Sequence, residues 1–109
     1  MKLLTKELLD RFAKVGSQEE VPFGDKIVIA KYFNPVGLGT WYATEYDPKR
    51  KEFFGYADIT DGEWGYFSLT EMESVKLRFG LGIERDLYIG EKTIREVVPK
   101  AIIHEREGE

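Results

Sequence analysis

The sequence has no cysteine and only one histidine among its 109 residues. Without cysteine the chain can form no disulfide, no thiolate metal site and no thiol nucleophile. The single histidine, His104, lies in a charged stretch, which argues against histidine-based acid–base catalysis and against multi-histidine metal sites. We therefore expect neither a metal ion nor a cofactor.

Long apolar runs and catalytic motifs are also missing. No run approaches the roughly 18 residues that a membrane-spanning helix needs, and the charges of Lys6 and Glu7 interrupt the apolar start. We expect no signal peptide, no membrane association and a cytoplasmic protein. The sequence contains no phosphate-binding P-loop, no G-x-S-x-G nucleophile elbow and no H-E-x-x-H zinc motif, so it favours a non-catalytic protein.

What the sequence does have is charge and aromatic side chains. The formal net charge is −4, which makes generic nucleic-acid binding unlikely because that binding needs a basic surface. Charged residues make up 33% of the chain and aromatic residues 14%. Abundant Glu and Lys, beside one Asn and one Gln, favour a thermophilic source.

The apolar pattern predicts an N-terminal helix. Leu8, Phe12 and Val15 recur at helical spacing, Thr5 is a suitable N-cap, and Gly16 suits a helix end. Four β-rich segments follow, separated by turn-forming residues, and three successive hairpins indicate an antiparallel meander. The predicted strands are 26–33, 40–46, 52–59 and 64–67.

Capping boxes at Ser68–Glu71 and Thr93–Glu96 predict short helices after the meander, the first of them ending at about Leu77. Leu87–Ile89 is predicted as a short extended segment that follows a charged turn. The predicted fold class is α+β: an antiparallel meander of four to five strands, an N-terminal helix, and one or two short helices after the meander. We expect one domain over 1–103 and a frayed charged tail over 104–109.

Aromatic residues alternate along the second and third predicted strands. Tyr42 and Tyr46 would share one sheet face with Phe54 and Tyr56. Such a face can stack nucleic-acid bases, or it can be an ordinary sheet face packed under a helix.

A second candidate site centres on Glu45. The alternation places it on the same strand face as Trp41 and Ala43, where a carboxylate needs a partner. Arg85 could form that ion pair, with Tyr66 nearby. The pair is either structural or the polar centre of a partner's footprint. The full set of candidate binding residues is Tyr42, Glu45, Tyr46, Phe54, Tyr56, Tyr66, Glu84, Arg85 and Asp86.

Several short segments together resemble a known family. They are Met1-Lys2-Leu3-Leu4-Thr5, Trp41-Tyr42-x-Thr44-Glu45-x-Asp47, Phe53-Phe54-Gly55, Gly65-Tyr66-Phe67-Ser68-Leu69-x-Glu71-x-Glu73 and Glu84-Arg85-Asp86-Leu87. From Met1 to about Tyr88 the chain resembles an uncharacterised bacterial family, domain of unknown function 2958. The resemblance implies small proteins carried by plasmids, conjugative elements and phages, and it implies no catalytic residues. The charged segment beyond Ile89 looks like an addition to the family pattern.

These observations lead to one expected function and two alternatives. We expect a small non-catalytic accessory protein of a mobile genetic element that binds a protein partner, for example a counter-defence inhibitor. The first alternative is a nucleic-acid-binding module that uses the aromatic face. The second is a carboxylate-dependent hydrolase or nuclease built on Glu45, Asp47, Glu84 and Asp86.

Overall fold

The computed structural model describes residues 2–102, so the predicted tail at 104–109, with His104, lies outside the described residues. The structure is an α+β fold, with two single-turn 3₁₀ helices at Phe23–Asp25 and Arg78–Gly80. The elements in chain order are α1 (Lys6–Val15), β1 (Ile27–Val28), β2 (Ala30–Phe33), β3 (Thr40–Asp47), β4 (Glu52–Asp58), β5 (Glu63–Ser68), α2 (Leu69–Ser74), β6 (Glu84–Arg85), β7 (Lys92–Thr93) and α3 (Ile94–Val97).

A five-stranded antiparallel sheet forms the centre of the fold. Its strand order is β5-β4-β3-β2-β6, and β1 pairs separately with β7. The run from β2 to β5 is the predicted meander, so the predicted fold class is confirmed. The ends of α1 also agree with prediction, because Thr5 Oγ1 accepts the Leu8 N–H at 3.2 Å and Gly16 ends the helix with a φ of 69°.

Both faces of the sheet are covered. On the α1 face, Phe12 packs on Phe53 and Tyr46, with ring centroids 5.8 and 5.9 Å apart. On the opposite face, which we call the α3 face, Ile94 and Val98 cover the sheet in a second apolar cluster. The position of a side chain on one face or the other therefore decides which cluster it joins.

A β-bulge in β3 changes which face each following residue occupies. The register between β3 and β4 shifts between Ala43 and Glu45, so Thr44 is the extra residue. A Cβ at Gly55, opposite the bulge, would lie 1.9 Å from the Tyr42 carbonyl oxygen, so only glycine permits this close approach of the two backbones.

Gln18 holds the bulged strand against β1. Its buried side-chain amide donates to the Ile27 and Thr44 carbonyls at 2.9 and 2.8 Å, and its oxygen accepts the Ile27 N–H at 2.7 Å. Gln18 lies in the loop that follows α1, so this loop supplies buried hydrogen bonds to β1 and β3.

The structure corrects three predicted boundaries. The predicted strand 26–33 divides at Ile29, because its first part pairs with β7 and its second part with β3. The second helix ends at Ser74 rather than near Leu77. The extended residues after the turn are Glu84–Arg85 rather than 87–89.

The last correction has a local cause. The Asp86 N–H donates to the Lys31 carbonyl at 2.9 Å, which holds the preceding two residues against β2. The Asp86 carboxylate then accepts the Tyr88 N–H at 2.8 Å and closes a turn there.

Candidate functional site

Three of the predicted site residues form one continuous row across the α3 face. Glu45 on β3 is opposite Phe54 on β4, and Phe54 is opposite Tyr66 on β5. The bulge creates this row, because without it Glu45 would lie on the α1 face. The Phe54 and Tyr66 rings meet edge to face with centroids 5.2 Å apart.

The loop after α1 forms the other wall of a groove beside this row. Glu19, Phe23 and Lys26 from that loop enclose about 230 Å³ together with the three sheet residues. The Phe23 ring stacks on Trp64 at 4.2 Å, and Trp64 lies 6.0 Å from Phe54. We call the space lined by Glu19, Phe23, Lys26, Glu45, Phe54 and Tyr66 the aromatic groove.

Charges in the groove have different degrees of exposure. Lys26 is buried, its ammonium donates to the Gln18 carbonyl, and it lies 5.2 Å from the centroid of the Phe23 ring. The Glu19 side chain is exposed and Glu45 is half-buried. The groove therefore presents one exposed and one half-buried carboxylate, while its lysine is engaged with the protein itself.

Tyr66 is the most accessible aromatic ring of the groove, with 73% of its surface exposed. Tyr66 contacts the Phe54 ring yet is open to solvent, and aromatic rings of this kind are common anchors in protein interfaces. The groove can therefore accept an apolar, aromatic or cationic side chain, since all three pack favourably on aromatic faces.

The predicted aromatic face is only partly correct. Tyr42 and Tyr56 are 7% and 0% exposed beneath the α3 face cluster, so their rings offer no platform for stacking bases. Burial raises the pKa of both phenols, as expected for groups withdrawn from water. Tyr46 lies on the other face, because the bulge turns it towards Phe53 at 4.9 Å.

The predicted ion pair between Glu45 and Arg85 is wrong. Arg85 on β6 is opposite Tyr32, whose ring joins the α1 face cluster, whereas Glu45 is on the α3 face. The prediction assumed unbroken alternation along β3, and the bulge breaks it. Arg85 instead lines a cleft of about 290 Å³ between α1 and the segment that follows β6.

The carboxylates proposed for a hydrolase are separated. The Asp47 carboxylate accepts the N–H groups of Lys49 and Arg50 in its own turn. Asp86 pairs with Lys31 at 3.5 Å, and Glu84 belongs to β6 at the sheet edge. Within residues 2–102, no three His, Cys, Asp or Glu side chains converge to hold a metal ion.

Sequence reasoning missed the contribution of the loop after α1. Glu19 and Phe23 lie in a stretch with charges, Pro22 and Gly24 that predicts only a loop, and Lys26 begins the predicted strand 26–33. One available signal was Phe23, an aromatic residue between a proline and a glycine, because such residues usually pack against the nearest element.

Most of the chain matches one known protein family. Residues 3–104 match the family described as "Protein of unknown function (DUF2958)". The chain belongs to this family. The match confirms the resemblance and corrects its extent, because α3 and the residues up to 104 are part of the family domain rather than an addition beyond Ile89.

Two further findings concern the chain as a whole. No curated protein and no solved structure gives a significant match. Among the helices described in residues 2–102, none has the length and apolar character that crossing a membrane requires.

Proposed function

We propose that this member of the family is a small non-catalytic accessory protein that binds a protein partner through the aromatic groove. The observation that carries the proposal is the row Glu45–Phe54–Tyr66, which places an exposed aromatic ring at the sheet edge and a carboxylate two strands away on the same face. Binding sites on regular strands are held more firmly than sites on loops, which suits recognition of a specific surface.

The charge of the chain supports a protein partner rather than a nucleic acid. With a net charge of −4 and carboxylates at Glu19 and Glu45, the groove repels a phosphate backbone and attracts a basic surface. The partner is expected to present an aromatic, aliphatic or basic side chain to Tyr66.

The biological setting is part of the same proposal. The family resemblance points to plasmids, conjugative elements and phages, and therefore to action in the bacterial cytoplasm, in a thermophilic host. A counter-defence inhibitor that occupies a host protein is one concrete form of this function. An accessory protein of that kind needs a binding surface and no catalytic residues.

The proposal is tested by affinity capture with matched tyrosine variants. The wild-type chain, Tyr66→Ser and Tyr88→Ser are used as baits in a lysate of the encoding organism, with quantitative mass spectrometry. Tyr88 is the control because it is 91% exposed and lies outside the groove. Loss of an anchor tyrosine typically costs about 2 kcal/mol or more, so Tyr66→Ser should reduce capture of the partner by at least about tenfold.

The result that contradicts the proposal is equally clear. If Tyr66→Ser and Tyr88→Ser capture the same proteins in the same amounts as the wild-type chain, the groove is not the binding site. Melting curves of the two variants verify that both remain folded.

A further inference from the structure

The two edge strands of the central sheet differ in length. One edge is β6, which is only two residues long, and the other is β5, which has six residues, Glu63–Ser68. Within residues 2–102, β5 pairs only with β4. A long edge strand exposes main-chain N–H and C=O groups that readily pair with another strand.

β5 has few of the features that normally protect an edge strand. It contains no proline, lysine or arginine, its only charge is Glu63 at one end, and its register with β4 has no bulge. Natural edge strands usually carry features of this kind, which prevent pairing with a strand of another chain. Because β5 has almost none of them, we expect it to pair with another strand.

From this asymmetry we infer that β5 pairs antiparallel with β5 of a second copy of the chain, so that two five-stranded sheets join into one sheet of ten strands. This arrangement leaves β6 at both ends, so the dimer has no long edge. An added strand from a different partner would remain exposed at its own outer side. Antiparallel pairing about a two-fold axis is also closed, which limits assembly to a dimer.

The side chains of β5 suit this symmetric pairing. Gly65 lies near the middle of the strand, and a Cβ there would meet nothing within 4 Å. With the two-fold axis at Gly65, each Trp64 is opposite the Tyr66 of the other copy on the α3 face, and aromatic pairs stabilise adjacent strands. The two Glu63 carboxylates lie at opposite ends of the paired strands, so like charges do not face each other.

The dimer would place two aromatic grooves side by side, because Tyr66 belongs to β5 and also lines the groove. The inference and the proposed function therefore share this side chain. Gly65 does not line the groove, so variants at Gly65 test the dimer separately from the groove.

Variants that introduce a charge at Gly65 test the dimer directly. We expect the full chain to sediment at twice its 12.6 kDa monomer mass. Gly65→Lys and Gly65→Glu each place like charges opposite one another at the axis, so each should weaken dimerisation by at least about tenfold. The open space at Gly65 allows either side chain without disturbing the monomer.

Mixing the two variants gives the decisive result. An equimolar mixture of Gly65→Lys and Gly65→Glu should restore dimers, because opposite charges then face each other. The control is Leu38→Lys, which adds the same charge at a 74% exposed side chain outside β5 and should remain dimeric. A monomeric wild-type chain at concentrations up to about 1 mM, or dimers unaffected by both single Gly65 variants, would overturn the inference.

Discussion

At the scale of single residues, the bulge in β3 determines the composition of the aromatic groove. It moves Glu45 to the α3 face and Tyr46 to the α1 face, and it depends on contacts made by Gln18 and Gly55. Neither residue belongs to a functional motif, yet both determine which side chains the groove displays. Two predictions test their roles.

Gln18→Leu should destabilise the fold by about 3 kcal/mol. The substitution keeps a buried side chain of similar size but leaves the Ile27 N–H and the Thr44 carbonyl without their amide partner, and each such buried group costs about 1–3 kcal/mol. Urea denaturation of the variant measures the loss. Glu20→Leu, at an exposed position two residues away, is the control and should change stability by less than about 0.5 kcal/mol. Equal stability of the two variants would show that Gln18 does not support the bulge.

Gly55→Ala and Gly65→Ala form a matched pair, since these glycines are opposite each other on β4 and β5. The methyl group added by Gly55→Ala would clash with the Tyr42 carbonyl, so this variant should lose about 3 kcal/mol or more. The methyl group added by Gly65→Ala meets open space and should change stability by less than about 0.5 kcal/mol. Thermal and urea unfolding of both variants measure the difference. Similar losses in both would contradict the close approach at the bulge.

At the scale of elements, the sequence predicts the order of helices and strands better than it predicts the faces of the strands. Turn residues and alternation locate the meander, and Thr5 and Gly16 locate the ends of α1, because these signals are local. The bulge depends on the contact between Gly55 and the backbone of Tyr42 on the neighbouring strand, so no local pattern reveals it. The exchange of Glu45 and Tyr46 between faces, and with it the wrong ion pair between Glu45 and Arg85, follows from that one missed feature.

Trp64 connects three elements, and its replacement tests how firmly they are joined. Its ring stacks on Phe23, and its Nε1–H donates to the Ala101 carbonyl at 3.1 Å. Trp64→Phe retains an aromatic contact but loses this hydrogen bond, so it should cost about 1 kcal/mol, while Trp64→Ala should cost about 3 kcal/mol. Urea denaturation distinguishes the two. Wild-type stability of Trp64→Ala would mean that the loop after α1 and the C-terminal segment pack independently of β5.

At the scale of the whole molecule, the buried tyrosines make the free energy of unfolding depend on pH in the alkaline range. Burial raises the pKa of four phenols above their ordinary value of 10.0, and the largest increase is at Tyr32, whose hydroxyl also donates to the Leu3 carbonyl at 2.7 Å. The four residues are Tyr32, Tyr42, Tyr46 and Tyr56. The hydrogen bond to Asp58 raises the pKa of Lys100 in the same direction.

The sign of the effect follows from these raised pKa values. Below about pH 10 the phenols are protonated in both the folded and the unfolded chain, so they contribute no pH dependence. Above that pH the unfolded chain loses phenolic protons that the folded chain retains, so the free energy of unfolding should fall as the pH rises. Urea denaturation between about pH 8 and about pH 11 measures this decline, and Tyr32→Phe should make it shallower. Constant stability over that range would contradict the burial of these phenols.

The central claim is that the aromatic groove is a binding surface for another protein, and site-specific photo-cross-linking tests it most directly. A photoreactive phenylalanine replaces Tyr66 in one variant and Tyr88 in another, and both are irradiated in the encoding organism. We predict that position 66 gives a cross-linked product with a different protein and that position 88 gives none. Products formed with a second copy of the chain can occur in addition and do not count for or against this claim. Products formed only between copies of this chain, or the same partner from both positions, would contradict the claim.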